Sequence, residues 1–130
     1  MKVVVFCFFM FLLLSCKKED RYSKIQMYNM AINSNKTVKF MLGESLTDVI
    51  PCTDYGKGCL GTHRVMVNKV VLIAIEFDIE ENAKKAATKL GGYYFKNWVF
   101  DDVAGEPILV EFVQKAFNAV QPKIKNKNKN

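Results

Sequence analysis

Six consecutive apolar residues, Val70-Val71-Leu72-Ile73-Ala74-Ile75, constrain this chain more than any other stretch. A strand with one wet face alternates apolar and polar side chains. A run without alternation predicts a strand in the middle of a sheet, covered on both faces or nearly so. The strand extends to Phe77, and His63 to Val67 just before it is a second β-branched run. Asn68-Lys69 joins the two, and Asn tolerates the left-handed backbone that a tight hairpin demands. A central strand needs neighbours and cover, and the rest of the domain supplies both.

Asp78 stops the strand and is expected to cap a helix, with Glu81 three residues later completing a capping-box pattern. Ile79, Ala83, Ala86, Ala87 and Leu90 form its apolar stripe, and Gly91-Gly92 ends it. Tyr93 to Phe100 reads as one aromatic strand. Tyr94, Trp98 and Phe100 are expected on one face, with Tyr93, Phe95 and Val99 on the other. After a turn at 101–105, Pro107 opens a helix at a position where its missing N–H costs nothing. Ile108, Leu109, Phe112, Val113, Ala116, Phe117 and Val120 recur at steps of three and four, so this helix lies on the sheet. Upstream, Tyr22 to Asn33 is expected to form a short helix with Ile25, Tyr28, Ala31 and Ile32 on one face. Thr37 to Leu42 alternates, with Val38, Phe40 and Leu42 together, and predicts a strand ending at Gly43. Glu44 to Gly61 reads mostly as loop.

This order predicts an α+β domain, a small antiparallel sheet of three or four strands with helices packed on one face as a two-layer sandwich. The segment from Val65 to Val120 resembles part of a ferredoxin-like or SPOR-like arrangement. That resemblance is architectural, without a family motif, and transfers no function.

The first sixteen residues, MKVVVFCFFMFLLLSC, set the address. Lys2 supplies a positive start and Val3 to Leu14 an unbroken apolar run. At ~1.5 Å per residue a helix of that run spans about 18 Å, short of the ~30 Å hydrocarbon core, which argues for a leader over a permanent span. Its end, Leu13-Leu14-Ser15-Cys16, resembles the lipobox of bacterial lipoproteins. The resemblance implies that residues 1–15 are removed as a signal peptide and that the Cys16 thiol receives a diacylglycerol. The new amine is usually acylated as well. Two or three acyl chains, palmitate among them, anchor stably where one is marginal. The other reading of these residues is an ordinary secretory signal with Cys16 a bystander, but Leu13 and Leu14 crowd the small-x-small cleavage site such signals use. An Asp after the Cys tends to hold Gram-negative lipoproteins in the inner membrane. Lys17 stands there instead. For a Gram-negative host this implies the outer membrane, facing the periplasm. Residues 16–21 then form a lipidated tether, 22–120 a single domain, and 121–130 a Lys/Asn-rich tail expected to be disordered.

The formal charge of +6 suggests nucleic acid, but its distribution does not. From Tyr22 to Val120 there are eleven Lys plus Arg and eleven Asp plus Glu. A neutral domain with basic ends is not a nucleic-acid footprint, and no nucleic-acid partner is expected. Of four cysteines, Cys7 leaves with the leader and Cys16 carries lipid. Cys52 and Cys59 remain, an even pair in an oxidising compartment around a loop with Gly56 and Gly58. They are expected to form a disulfide. A redox-active pair is the alternative, though such sites use CxxC at a helix N-terminus. A zinc site needs more ligands than these and His63 offer, so no metal or cofactor is expected.

Tyr94 and Trp98 lie on the aromatic strand, and Asn97, Trp98, Asp101, Asp102 and Glu106 make an acidic, aromatic cluster just after it. Such a set suits a cation, a stacked sugar or a bound partner. The plainer reading packs Trp98 in the core and leaves the carboxylates to the turn and the helix N-terminus. His63 has no nucleophile arrangement near it, and no phosphate-binding glycine loop is present. The expectation is a small exported lipoprotein held to the lipid bilayer through Cys16. Its domain binds or scaffolds an envelope protein or cell-wall polymer, without catalysis. An envelope enzyme built around Trp98, Asp101 and Glu106, or a thiol-redox protein using Cys52 and Cys59, are the rival readings.

Overall fold

The computed structural model of the protein describes residues 20–41 and 50–123. The leader, Cys16, residues 42–49, on which the expected strand end at Leu42 and Gly43 falls, and tail residues 124–130 lie outside the described residues. Helix α1 spans Lys24–Ser34, β1 Lys39–Met41, β2 Cys59–Val67 and β3 Val70–Phe77. Helix α2 spans Glu80–Leu90, β4 Tyr93–Phe95, β5 Trp98–Asp101 and α3 Pro107–Phe117, with a 3-10 turn at Cys52–Tyr55. The class is α+β, with a small antiparallel sheet and packed helices.

The sheet has five strands in the order β1-β2-β3-β5-β4, every neighbouring pair antiparallel. The central apolar run is β3, paired on one side to β2 and on the other to β5. Asn68 and Lys69 both take positive φ, 48° and 69°, as a two-residue hairpin turn requires. Strands β3 and β4 run parallel with β5 between them, so β3-α2-β4 is one split β-α-β unit. The segment β1-β2-β3 is a meander, so the βαββαβ order of a ferredoxin-like fold is not the element order here.

Both faces of the sheet are covered. On one face α1 and α3 pack over Val65, Val67, Leu72, Trp98 and Phe100. On the other, Ala83, Ala86 and Ala87 of α2 meet Ile75, Phe77 and Val99, with Tyr55 beside them. The lack of alternation in β3 has this cause: Leu72 and Ala74 enter one core, and Ile73 and Ile75 the other. The helices therefore divide between the two faces.

Tyr93 to Phe100 is a hairpin and not one strand. The chain reverses at Lys96-Asn97, with Lys96 at φ 51°. Tyr93 pairs with Phe100 and Phe95 with Trp98, which places these four on the α1/α3 face and Tyr94 with Val99 on the other. Helix α2 starts one residue later than expected. Ile79 is its N-cap residue and is 37% exposed. The Asp78 carboxylate accepts from the Ile79 N–H and from the Asn82 amide, and Glu81 pairs with Lys85. Helix α1 is capped by a Ser23–Gln26 box and buries Met27 and Ala31, while Ile25 is 72% exposed. In α3 the buried stripe is Leu109, Phe112, Val113 and Phe117. Ile108 and Val120 face solvent, and Val120 bridges to Tyr94 along the outer edge of β4.

Candidate functional site

The acidic, aromatic set suggested by the sequence is not brought together. Trp98 is 1% exposed and belongs to the α1/α3 core. Tyr94, half-buried, packs on the α2 side. Asp101 pairs with Ile73 at the far end of β5, Asp102 is exposed at φ 59°, and Glu106 is exposed at the start of α3. The hairpin at Lys96-Asn97 separates Tyr94 from Trp98, and the pleat separates Trp98 from Asp101.

Asp101 instead joins a second group. Burial pushes its carboxyl above the usual range; a hydrogen bond from the Asp102 backbone opposes this, and the Asp102 charge adds to it by less. Burial also raises the Tyr55 phenol, and the charges of Asp101, Asp102 and Asp54 reinforce that shift while Arg64 opposes it. Tyr55 ends the 3-10 turn that starts at Cys52, so the cysteine loop delivers an aromatic side chain to the α2 core. The loop is closed by a Cys52–Cys59 disulfide, Cα to Cα 5.5 Å. Gly58 has φ +85° and its carbonyl accepts from the Asp78 N–H at 2.9 Å. A Cβ there would lie 2.2 Å from Asp78 Oδ1, so both backbone and space require glycine.

At the opposite end of β5 the N-terminal strap is stitched to the sheet. The Tyr22 N–H donates to Asn97 Oδ1 at 2.8 Å, and the Tyr22 carbonyl accepts from Trp98 Nε1 at 2.7 Å. Asn97, fully buried, also donates to the Phe77 carbonyl at 3.2 Å. The Lys96 ammonium bonds the Asp20 carboxylate, and Arg21 lies 3.6 Å from Glu76. The Tyr22 ring meets Phe95 edge-on. His63 lies on the same face against Trp98, ring centroids 5.8 Å apart, and burial, then the Lys24 charge, lowers its pKa. The half-buried imidazole completes packing at this end.

The internal cavity of this core, about 20 Å³, is lined only by apolar side chains such as Met27, Leu72 and Phe112, and is too dry and small for a ligand. An open concavity lies outside, where α1 runs beside β1. It measures about 690 Å³ and is lined by Lys24, Ile25, Tyr28, Val38, Lys39 and Phe40. Tyr28 and Phe40 meet edge-on at 5.0 Å, and Tyr28 remains 40% exposed. Helical periodicity in this segment predicts Ile25 and Tyr28 inward, whereas both are exposed. The signal that marks this surface is charge: Arg21 to Met41 holds four cations and no acid.

Among the described residues no three His, Cys, Asp or Glu side chains gather as a metal site, and no helix is long and apolar enough to cross a membrane. Comparison with family models, with curated proteins and with solved structures finds no match to this chain.

Proposed function

We propose that this chain is a cell-envelope lipoprotein, anchored in the bilayer through acylated Cys16, whose domain binds or scaffolds an envelope protein or cell-wall polymer without turning over a substrate. The observation that carries the reading is the lipobox-like Leu13-Leu14-Ser15-Cys16 at the end of an apolar run too short to span. The Cys52–Cys59 bond supports it, because stable disulfides belong to oxidising compartments. Lys17 after the cysteine favours the outer membrane in a Gram-negative host.

Membrane fractionation of the wild type beside Cys16→Ala tests this reading. The wild type is expected in the membrane pellet after a high-salt wash, and the variant in the soluble fraction. Equal distribution of the two overturns the anchor. Where the wild type pellets and the variant does not, cross-linking from the membrane-bound form identifies the partner.

A further inference from the structure

We propose that the α1–β1 side of the domain rests on the bilayer surface, with Ile25 and Tyr28 among the headgroups and Lys24 and Lys39 against anionic lipid. The proposal rests on the Cys16 anchor and adds which side of the domain faces the membrane. Its first support is reach. The strap is fixed to the sheet from Asp20 onward by the Lys96–Asp20 pair and the Tyr22 bonds. Only Lys17, Lys18 and Glu19 lie between that point and Cys16. Four residue steps at ~3.5 Å span at most about 14 Å, close to the ~13 Å radius of gyration of a domain this size. The anchored domain therefore lies against the surface, and α1 begins four residues past the fixed point.

The second support is charge. Arg21 to Met41 contributes Arg21, Lys24, Lys36 and Lys39 without one acid, whereas residues 50–123 carry nine Lys plus Arg and nine Asp plus Glu. Arg21 faces Glu76, and none of the three lysines pairs with a carboxylate among the described residues. The third is the concavity lined by Lys24 and Lys39, whose apolar wall includes Ile25 at 72% and Tyr28 at 40% exposure. Basic side chains beside an exposed aliphatic and a tyrosine are the composition of an interfacial contact. The lysine stems lie along apolar surface while their ammonium groups reach phosphate, and each cation near an anionic surface adds to binding.

The test places a tryptophan on each side of the lipidated, full-length mature protein. Ile25→Trp reports the proposed contact. Ile108→Trp is the control, because Ile108 is also exposed but lies past the Asp101 end of β5, away from the strap. Native Trp98 is buried and contributes a constant background. Both proteins are put into phosphatidylethanolamine–phosphatidylglycerol vesicles with bromine-labelled acyl chains. Position 25 is expected to be quenched about twofold and position 108 almost unchanged. Adding Lys24→Glu and Lys39→Glu to the Ile25→Trp protein should weaken that contact on the order of tenfold. Three results overturn the proposal while leaving the anchor intact. One is a vesicle-bound protein whose position 25 is unquenched, and another is equal quenching at both positions. The third is a position 25 shielded from a water-soluble quencher but not reached by bromine, which would mean that protein and not lipid covers this side. Failure of the intact protein to stay on vesicles would remove the anchor and this contact together.

Discussion

On the side of the sheet covered by α1 and α3 the core is aromatic, with Trp98, Phe100, Phe112 and Phe117 packed together and Phe100 stacked on Phe117 at 4.9 Å. On the side covered by α2 the helix contributes Ala83, Ala86 and Ala87 to Ile75, Phe77 and Val99. The aromatic side is held by buried area, which scales with the apolar surface removed from water. The alanine side brings its helix close to the strands and has less surface to bury. There Tyr55, carried by the disulfide-closed loop, extends the cover. One face thus depends on large side chains, and the other on a covalent closure that holds a loop in place.

If that contrast is right, Trp98→Ala is the most damaging single change. It opens a cavity in the aromatic core and removes the shorter of two hydrogen bonds to the Tyr22 carbonyl, for about 3–5 kcal/mol. Denaturant unfolding would show it, and a loss smaller than that from removing the disulfide would reverse the ranking of the two sides. Removing the disulfide with Cys52→Ser and Cys59→Ser should cost about 2–3 kcal/mol through loop closure. Hydrogen exchange should rise around Tyr55 and α2 before it rises in α3, and uniform loosening would contradict the contrast. Asn97→Ala leaves the Tyr22 N–H without its side-chain acceptor, for about 1–3 kcal/mol, and should release residues 20–22 to proteolysis.

The smallest expected effect is electrostatic and belongs to the α2 side. Burial raises Asp101, so the folded chain holds that proton more tightly than the unfolded one does. The stability this contributes is complete below the unfolded carboxylate pKa and lost as pH rises through the folded value. Charged Asp101 therefore weakens the fold at neutral pH, and Asp101→Asn should raise Tm by about 1–2 °C near neutrality. The gain should vanish at about pH 3. A gain that persisted in acid would place the cause in packing and not in charge.

The sequence displays the local devices of this fold well. Asn68-Lys69 announces the β2–β3 hairpin, Pro107 the start of α3, and the Cys52–Cys59 spacing a closed loop. Long-range ties were not legible. The run Tyr93 to Phe100 contains no glycine or proline at its reversal, because Lys96 takes the left-handed conformation and Asn97 anchors the turn from inside through Tyr22 and Phe77. Partners more than seventy residues away in one case leave no local pattern. In α1 Met27 and not Ile25 enters the core, although both sit on an apolar spacing. The candidate surface was hidden for that reason: periodicity assigned Ile25 and Tyr28 to the interior, while the absence of acids from Arg21 to Met41 was in plain view. The α+β class was readable, but the division of helices between the two faces depends on which core each β3 side chain enters.

The most direct test of the central claim is the intact mass of the mature protein purified from membranes. The account predicts a chain beginning at Cys16 with the added mass of a diacylglycerol, and of a further acyl group where the amine is modified. A mass equal to an unmodified chain, or one cut at another residue, would contradict the anchor and with it the membrane-facing role of the α1–β1 side.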